Sequence, residues 1–133
     1  MQVKLILAPL AGTAVDPDVV RVATTLAKPW KAQVLLIHVI EVQWNMPLDA
    51  VLDASTERGE VILDQALRLA EQAGVKVESE LVQAREAAAA IIDTARDRAA
   101  DLIVLGMPYR RRLGRVYVGA PCAVLAYRQE ETR

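Results

Sequence analysis

Short, almost uninterrupted runs of apolar residues constrain the fold of this 133-residue chain more than any other feature. One run covers Val3 to Ala8, a second covers Val34 to Ile40, and a third covers Leu102 to Leu105. Strands that are apolar on both faces have to be covered on both faces, as happens in parallel sheets. The runs therefore predict buried parallel strands with helices packed on each side.

Helical segments separate these runs. Apolar residues recur at helical spacing from Pro17 to about Lys28, after a predicted N-cap at Asp16, and Pro29 is expected to end this helix. Two further helices are predicted over about Ala50 to Ala73 and over Arg85 to Arg98. Strands and helices thus alternate, which favours an α/β fold: a three-layer, doubly wound, open parallel sheet with helices on both faces.

Two weaker strand signals complete the sheet. Val75 to Leu81 alternates only partly, which predicts an edge strand, and Cys122 to Tyr127 is an apolar run near the end of the chain. The last residues, 129–133, form a polar tail that we expect to fray. Residues 1–128 are therefore predicted to form a single domain.

The crossover between the last two strands is short. A connection between parallel strands needs about a dozen residues or more, and Met107 to Ala120 supplies only 14. We expect a shortened crossover helix from Tyr109 to Val118, with Pro108 as an early helical residue and Gly119 as its cap.

Charge and residue inventory exclude several classes of protein. The chain has 16 Lys and Arg against 17 Asp and Glu, so neither nucleic acid nor an anionic membrane surface is an expected partner. No stretch is apolar over the roughly 18 residues that membrane insertion requires. The only cysteine, Cys122, cannot form an intrachain disulfide, which favours a cytoplasmic location. Because His38 is the only histidine, no metal site is expected.

Motifs of common catalytic sites are missing from the sequence. It contains no Gly-x-Ser-x-Gly elbow, no Walker A sequence and no Gly-x-Gly-x-x-Gly. We therefore predict that the protein is not an enzyme and has no catalytic residues. Ligands of open parallel sheets bind at the carboxyl ends of the strands, where the strand order reverses. The candidate site thus comprises Pro9 to Thr13, Val39 to Trp44 and the residues from Gly106 onward.

Three segments carry a resemblance to a known family. Asp101 to Gly106 (DLIVLG), Gly119 to Leu125 (GAPCAVL) and Val34 to Val39 (VLLIHV) are similar to segments of the universal stress protein family. The resemblance covers nearly the whole chain. It implies an adenine-nucleotide alpha-hydrolase-like fold of five strands in the order 3-2-1-4-5, and a dimer formed through the last strand.

The chain departs from the family's nucleotide-binding motif. ATP-binding members carry Gly-x-x-Gly and, nine residues later, Gly followed by Ser or Thr, and Gly106 and Gly119 fit the first and third positions. Tyr109 stands at the second glycine, Ala120 replaces the hydroxyl residue, and Ala11 replaces an acid that members often place after the first strand. The resemblance thus implies a degenerate adenine-nucleotide site, and we expect ATP to bind weakly or not at all.

Three functions stay open at this point. The first is a non-enzymatic stress-response or regulatory protein that acts as a homodimer or through a protein partner, without a cofactor. The second is an adenine-nucleotide sensor that binds ATP, ADP or AMP and holds phosphate with arginines. The third is a slow ATPase, for which the sequence offers no general base or metal ligands. If a nucleotide still binds, the expected contacts are Pro9, Leu10, Ala11, Val39, Gly106, Arg110, Arg112 and Gly119.

Two surface features each have two interpretations. The arginines at 110–112 and Arg115 form either an anion-binding cluster beside the strand ends or a solvated helix face whose stems cover apolar surface. Trp44 and Met46 either cover a ligand pocket or contact a partner.

The last strand is expected to be an exposed edge of the sheet. From Cys122 to Tyr127 it is apolar and contains no proline or lysine, so an uncovered edge would be prone to aggregation. Pairing with the same strand of a second copy would cover it in a two-fold homodimer. The predicted interface residues are Cys122, Val124, Leu125 and Tyr127.

Overall fold

Strands and helices alternate along the whole of the computed structural model, which describes residues 1–107 and 114–128. The elements are β1 (Leu5–Pro9), α1 (Asp16–Trp30), β2 (Gln33–Glu41), α2 (Asp53–Gln72), β3 (Val77–Ala84), α3 (Ala87–Asp97), β4 (Leu102–Met107), α4 (Gly114–Gly119) and β5 (Ala123–Arg128). The predicted alternation of strands and helices is therefore confirmed.

All five strands are parallel and lie in the order β3-β2-β1-β4-β5. The central strand, β1, pairs with β2 on one side and β4 on the other, and Leu7 lies opposite both Leu35 and Ile103. From β1 the chain adds β2 and β3 on one side of the sheet and then β4 and β5 on the other, so the strand order reverses at β1. This order confirms the expected doubly wound sheet.

The sheet is covered on both faces. Ile6, Leu36 and Val104 point to the face on which α1 and α2 pack. Leu7 and Leu35 belong to the opposite cluster, which α3 and α4 cover. Alternate residues of the central strands are thus buried in different layers, which explains why their sequences are apolar without alternation.

The first helix begins and ends close to its predicted limits. Asp16 is its first helical residue and Val15 takes the N-cap position, so the predicted cap at Asp16 is wrong by one residue. Pro29 lies inside the last turn and does not end the helix, because proline fits helical φ and removes only one hydrogen bond there. Lys31 ends the helix in the left-handed conformation with a φ of 55°.

The second helix comes unusually close to the sheet at Gly59. A Cβ atom placed on Gly59 would lie 2.6 Å from Cδ1 of Leu81 and 3.0 Å from Cδ2 of His38. Only a residue without a side chain fits this contact, and α2 runs through it without interruption from Asp53 to Gln72.

One edge of the sheet, β3, is charged. The guanidinium of Arg98 lies 2.7 Å from a carboxylate oxygen of Glu78 and 3.4 Å from one of Glu80. The hydrogen bond from Arg98 holds the pKa of Glu78 below its usual value, despite the solvent exposure of this carboxylate. The other edge, β5, has no charged residue between Ala123 and Tyr127.

The last crossover contains a short helix, as expected. Within the described residues it covers Gly114–Gly119, and the part of the prediction that concerns Pro108 and Tyr109 lies outside them. Gly119 is the last residue of α4, and the backbone N–H of Ala120 donates to the carbonyl of Val116 at 2.9 Å. No helix in the described part of the chain is long and apolar enough to cross a membrane.

Candidate ligand-binding site

A cleft lies at the carboxyl ends of β1, β2 and β4, where the strand order reverses. It encloses about 510 Å³ of space that is open to solvent. This is the place at which open α/β sheets bind ligands. The described lining residues are Pro9, Leu10, Ala11, Thr13, Val15, Asp16, Ile37, Val39, Ala87, Ile91, Leu105 and Gly106.

Five of the residues predicted from the sequence come together in this cleft. Pro9, Leu10 and Ala11 follow β1, Val39 lies near the end of β2, and Gly106 lies near the end of β4. They converge because the carboxyl ends of neighbouring parallel strands lie at the same edge of the sheet.

Of the other three predicted contacts, one lies elsewhere and two lie outside the described residues. Gly119 is not among the residues that line the cleft; a Cβ atom placed on it would lie 2.6 Å from Cδ1 of Ile92, so it allows α4 to pack closely against α3. Arg110 and Arg112 lie outside the described residues. The single described arginine of this cluster, Arg115, donates a hydrogen bond to the carboxylate of Glu86.

Gly106 has a packing role in this structure. A Cβ atom placed on it would lie 2.6 Å from Cγ2 of Val19 and 3.0 Å from Cγ1 of Val15. Helix α1 therefore contacts the backbone of β4 directly. This close contact requires a glycine whether or not a phosphate group lies nearby.

Asp16 places a carboxylate in the wall of the cleft. One of its oxygens accepts a hydrogen bond from the backbone N–H of Ala11 at 3.2 Å, and the other accepts one from Gly12 at 2.9 Å. Gly12 has a φ of 80°, a left-handed conformation that favours glycine. The carboxylate thus binds the turn that precedes the helix.

Burial raises the pKa of Asp16 above its usual value. The hydrogen bonds from the backbone of Gly12 and Ala11 and the nearby His38 oppose this effect without cancelling it. The sequence pattern predicts only a helix-cap role for Asp16. The available signal was its position four residues after a glycine at the end of β1, where its side chain can reach back to the turn.

A second carboxylate occupies the start of α3. An oxygen of Glu41, the last residue of β2, accepts a hydrogen bond from the backbone N–H of Ala87 at 2.9 Å. Ala87 is the first residue of α3 and lines the cleft. Carboxylates of the chain therefore bind backbone N–H groups on two sides of the cleft, at the starts of α1 and α3.

Thr13 supplies a second polar side chain to the lining. Its hydroxyl oxygen is buried and has no hydrogen-bond partner among the described residues. Such groups are rare in folded proteins, because a buried hydroxyl without a partner destabilises the fold.

His38 is a buried histidine in β2. Its Nδ1 atom lies 2.8 Å from the carbonyl oxygen of Leu10 and donates a hydrogen bond to it, because a carbonyl oxygen can only accept. The imidazole thus connects β2 to the segment that lines the cleft, without itself being part of the lining.

Arg85 anchors the loop that contains Trp44. Its guanidinium donates to the carbonyl oxygens of Gln43 at 2.6 Å and Met46 at 2.8 Å, and it lies 5.0 Å from the centre of the Trp44 ring. Trp44 is 82% exposed. Neither Trp44 nor Met46 is among the described residues that line the cleft.

The described residues contain no group of three or more His, Cys, Asp or Glu side chains that could hold a metal ion. The sheet order and the cleft at its reversal point define an α/β protein of the doubly wound class with a cleft at the strand ends.

The family is shown by a direct match. The model of the universal stress protein family matches residues 2–128. The chain therefore belongs to the universal stress protein family.

Individual relatives agree with this assignment. A universal stress protein of Methanocaldococcus jannaschii is 29% identical over 123 residues, which cover 88% of this chain and 72% of that protein. A solved family member from Burkholderia pseudomallei is 27% identical with a TM-score of 0.78, over 93% of this chain and 95% of that chain. The universal stress protein of Archaeoglobus fulgidus, solved in complex with dAMP, is 19% identical with a TM-score of 0.78, over 93% and 96% of the two chains.

Proposed function

We propose that this protein is a non-enzymatic regulatory protein of the universal stress type, which acts as a homodimer and has a degenerate adenine-nucleotide site. The observation that carries the proposal is the polar content of the cleft. Its described lining contains two polar side chains, Asp16 and Thr13, and no cation. A site that binds ATP tightly needs groups that neutralise phosphate.

The fold supports the proposal that a base could bind in the cleft, and the departures from the family motif support weak binding of the rest of a nucleotide. The relative from Archaeoglobus fulgidus is described in complex with dAMP, so this fold accommodates an adenine nucleotide. Here the methyl group of Ala11 accepts no hydrogen bond. Each lost hydrogen bond to a charged group weakens binding by about 1.5 to 3 kcal/mol, so two losses weaken it by roughly 100-fold to 10,000-fold.

The same lining argues against catalysis. Hydrolysis of a phosphoanhydride needs a base or positioned water and a group that neutralises the developing charge. Asp16 is the one ionisable side chain in the described lining, and the backbone of Ala11 and Gly12 already binds both of its oxygens. The described lining of the cleft meets neither requirement.

The proposed dimer uses β5. This strand is an edge of the sheet, with Ala123 and Ala126 exposed and Val124, Leu125 and Tyr127 partly buried. Cys122, the fourth predicted interface residue, directly precedes the strand. Pairing of two β5 strands would satisfy the backbone groups of this edge and cover its alanines.

The nucleotide-sensor alternative is less well supported. It needs free arginines near the strand ends, and Arg115 is engaged with Glu86. Arg110 and Arg112 lie outside the described residues, so the alternative is best tested directly.

Calorimetric titration with ATP and Mg²⁺ tests the nucleotide part of the proposal. We expect no binding stronger than about 1 mM, because the hydrogen bonds lost from the cleft correspond to several kcal/mol. Phosphate release, measured in parallel, should stay at the level of a buffer control. A dissociation constant in the low micromolar range that is abolished by Arg110→Ala with Arg112→Ala would establish the sensor function instead.

A further inference from the structure

We propose that the surface formed by the β2 to α2 loop, the end of β3 and the outer side of α3 binds a protein segment in which apolar side chains are flanked by lysine or arginine. Such a partner is additional to the second copy of the proposed homodimer. Strands β3 and β5 lie at opposite edges of the sheet, so a dimer formed through β5 leaves this surface open to a further partner.

A groove lies between β3 and α3, beside the β2 to α2 loop. It holds about 380 Å³ of space accessible to water. Its apolar lining comes from Val82 and Ala84 of β3, from Ala89 and Ala90 of α3, and from Leu48 of the loop. Because the alanine side chains are short, apolar side chains of a partner can enter the groove and contact this lining.

Large apolar side chains are exposed on the loop next to the groove. Trp44 is 82% exposed, and Leu48, which lines the groove, is 48% exposed. The centre of the Trp44 ring lies 5.0 Å from the guanidinium of Arg85, which also lines the groove, so Trp44 and the groove belong to one surface. Exposed apolar groups of this kind are typical of binding surfaces, and tryptophan is among the residues that contribute most to protein interfaces.

Hydrogen bonds from two side chains hold the loop in the conformation that exposes these groups. The amide nitrogen of Gln83 donates to the carbonyl oxygens of Leu48 and Ala50, both at 3.0 Å. Arg85 donates to other carbonyl oxygens of the same loop. Because these bonds already fix the loop, a partner that binds its apolar side chains does not have to order it, which favours affinity.

The charge of the groove determines the kind of partner. Its described lining contains three carboxylates, those of Glu86, Asp93 and Asp97, and one cation, Arg85. Arg85 is engaged with the loop, and Glu86 already accepts a hydrogen bond from the guanidinium of Arg115. A groove with net negative charge attracts the lysine and arginine side chains of a partner and repels nucleic acid and anionic lipid.

Asp93 and Asp97 are the carboxylates that remain for a partner. They are four residues apart on α3, so their side chains share one face of the helix. A guanidinium nitrogen of Arg96 lies 3.5 Å from an oxygen of Asp93, but both side chains are exposed and such a pair contributes little. Asp97 forms no ion pair with any described residue. Basic side chains of a partner can therefore pair with both carboxylates while its apolar side chains fill the groove.

The test selects peptides from a random library displayed on phage, with the wild-type protein as the immobilised target. We expect the selected peptides to contain lysine or arginine next to leucine, isoleucine, phenylalanine or tryptophan. A synthetic copy of such a peptide should bind more weakly in solution as the salt concentration rises, because salt screens its pairing with Asp93 and Asp97. Selection of acidic peptides, or of none, would overturn the proposal.

Substitutions show whether the selected peptide binds at this surface. Asp97→Lys reverses a charge of the groove and Trp44→Ala removes the exposed ring, so each should weaken binding of the synthetic peptide by about tenfold or more. Asp64→Lys and Val61→Ala make comparable changes at exposed positions of α2 and should leave its affinity unchanged. Circular dichroism checks that all four variants fold. Equal effects of the two pairs of substitutions would contradict binding at the groove.

A lipid bilayer is the other kind of partner that an exposed tryptophan can contact. Vesicles of phosphatidylcholine, with or without phosphatidylserine, should not sediment with the wild-type protein. Sedimentation with vesicles that is lost in Trp44→Ala would overturn the proposal. Val124→Lys, which is directed at the proposed dimer, should leave the peptide affinity unchanged, so failure of the homodimer and failure of this surface are distinguishable.

Discussion

Gly59 shows at the scale of one residue how closely α2 approaches the sheet. We expect Gly59→Ala to destabilise the protein by about 1 to 3 kcal/mol, the usual effect of adding a methyl group to a filled core. The new Cβ would lie 2.6 Å from Leu81 and 3.0 Å from His38. This effect should outweigh the gain of about 1 kcal/mol that alanine brings to a helix. Urea-induced unfolding measures the difference.

Gly114→Ala is the matched control for this prediction. A Cβ atom placed on Gly114 meets no atom of the described residues within 4 Å, so the same substitution should be neutral or slightly stabilising. Equal destabilisation by both substitutions would mean that contact with the sheet is not the cause.

Asp16 should make stability depend on pH. Because burial raises its pKa, the folded protein binds this proton more tightly than the unfolded chain does. The stabilisation is fully present below the unfolded pKa of 3.8 and is lost as the pH rises through the folded value. The unfolding free energy of the wild type, relative to Asp16→Asn, should therefore decrease from about pH 3.5 to pH 7. A difference that is constant over this range would contradict the raised pKa.

Some residues of the cleft could be predicted from the sequence, and the role of Asp16 could not. Pro9, Ala11, Val39 and Gly106 could be placed in the cleft because their position follows from the strand ends. The role of Asp16 depends on the left-handed backbone at Gly12, which turns the N–H groups towards the carboxylate, and no periodicity reports that conformation.

Among the elements, the β2 to α2 loop depends most on a single distant side chain. Arg85 should hold this loop in place through its bonds to Gln43 and Met46 and its contact with Trp44. We expect Arg85→Ala to speed amide hydrogen exchange of the loop and to destabilise the protein by about 1 kcal/mol.

Two substitutions control for loss of charge in this experiment. Arg68→Ala, on the exposed face of α2, should leave exchange of the loop unchanged. Arg85→Lys should give partial protection, because an ammonium group lacks the planar geometry that serves two carbonyls at once. Unchanged exchange in Arg85→Ala would show that other contacts hold the loop.

The elements themselves were largely predictable from local patterns. The buried strands were evident from their apolar runs, because both faces of β1 and β4 are covered. Long-range contacts, such as the hydrogen bond between Glu41 and Ala87, were not predictable. These two residues are 46 positions apart, and only the parallel alignment of the strands brings them together. Local patterns contain no such information.

For the whole molecule, the oligomeric state tests the proposed homodimer. We expect the wild type to sediment as a dimer at micromolar concentration and Val124→Lys to shift it towards monomer, because β5 would then carry a charge at the paired edge. Val61→Lys, a similar change at an exposed position of α2, should remain dimeric. Circular dichroism checks that both variants fold. A monomeric wild type would contradict the proposed dimer.

The two edges of the sheet differ in a way that limits how far such association can proceed. In a pair joined through β5, both outer edges are β3 strands, and each presents Glu78 and Glu80 held by Arg98. Charged edge strands resist pairing with another strand. A β5 edge can therefore pair with its own copy but not continue onto a β3 edge. In the proposed dimer, assembly would therefore close at two subunits and would not extend into the continuous sheet of a filament.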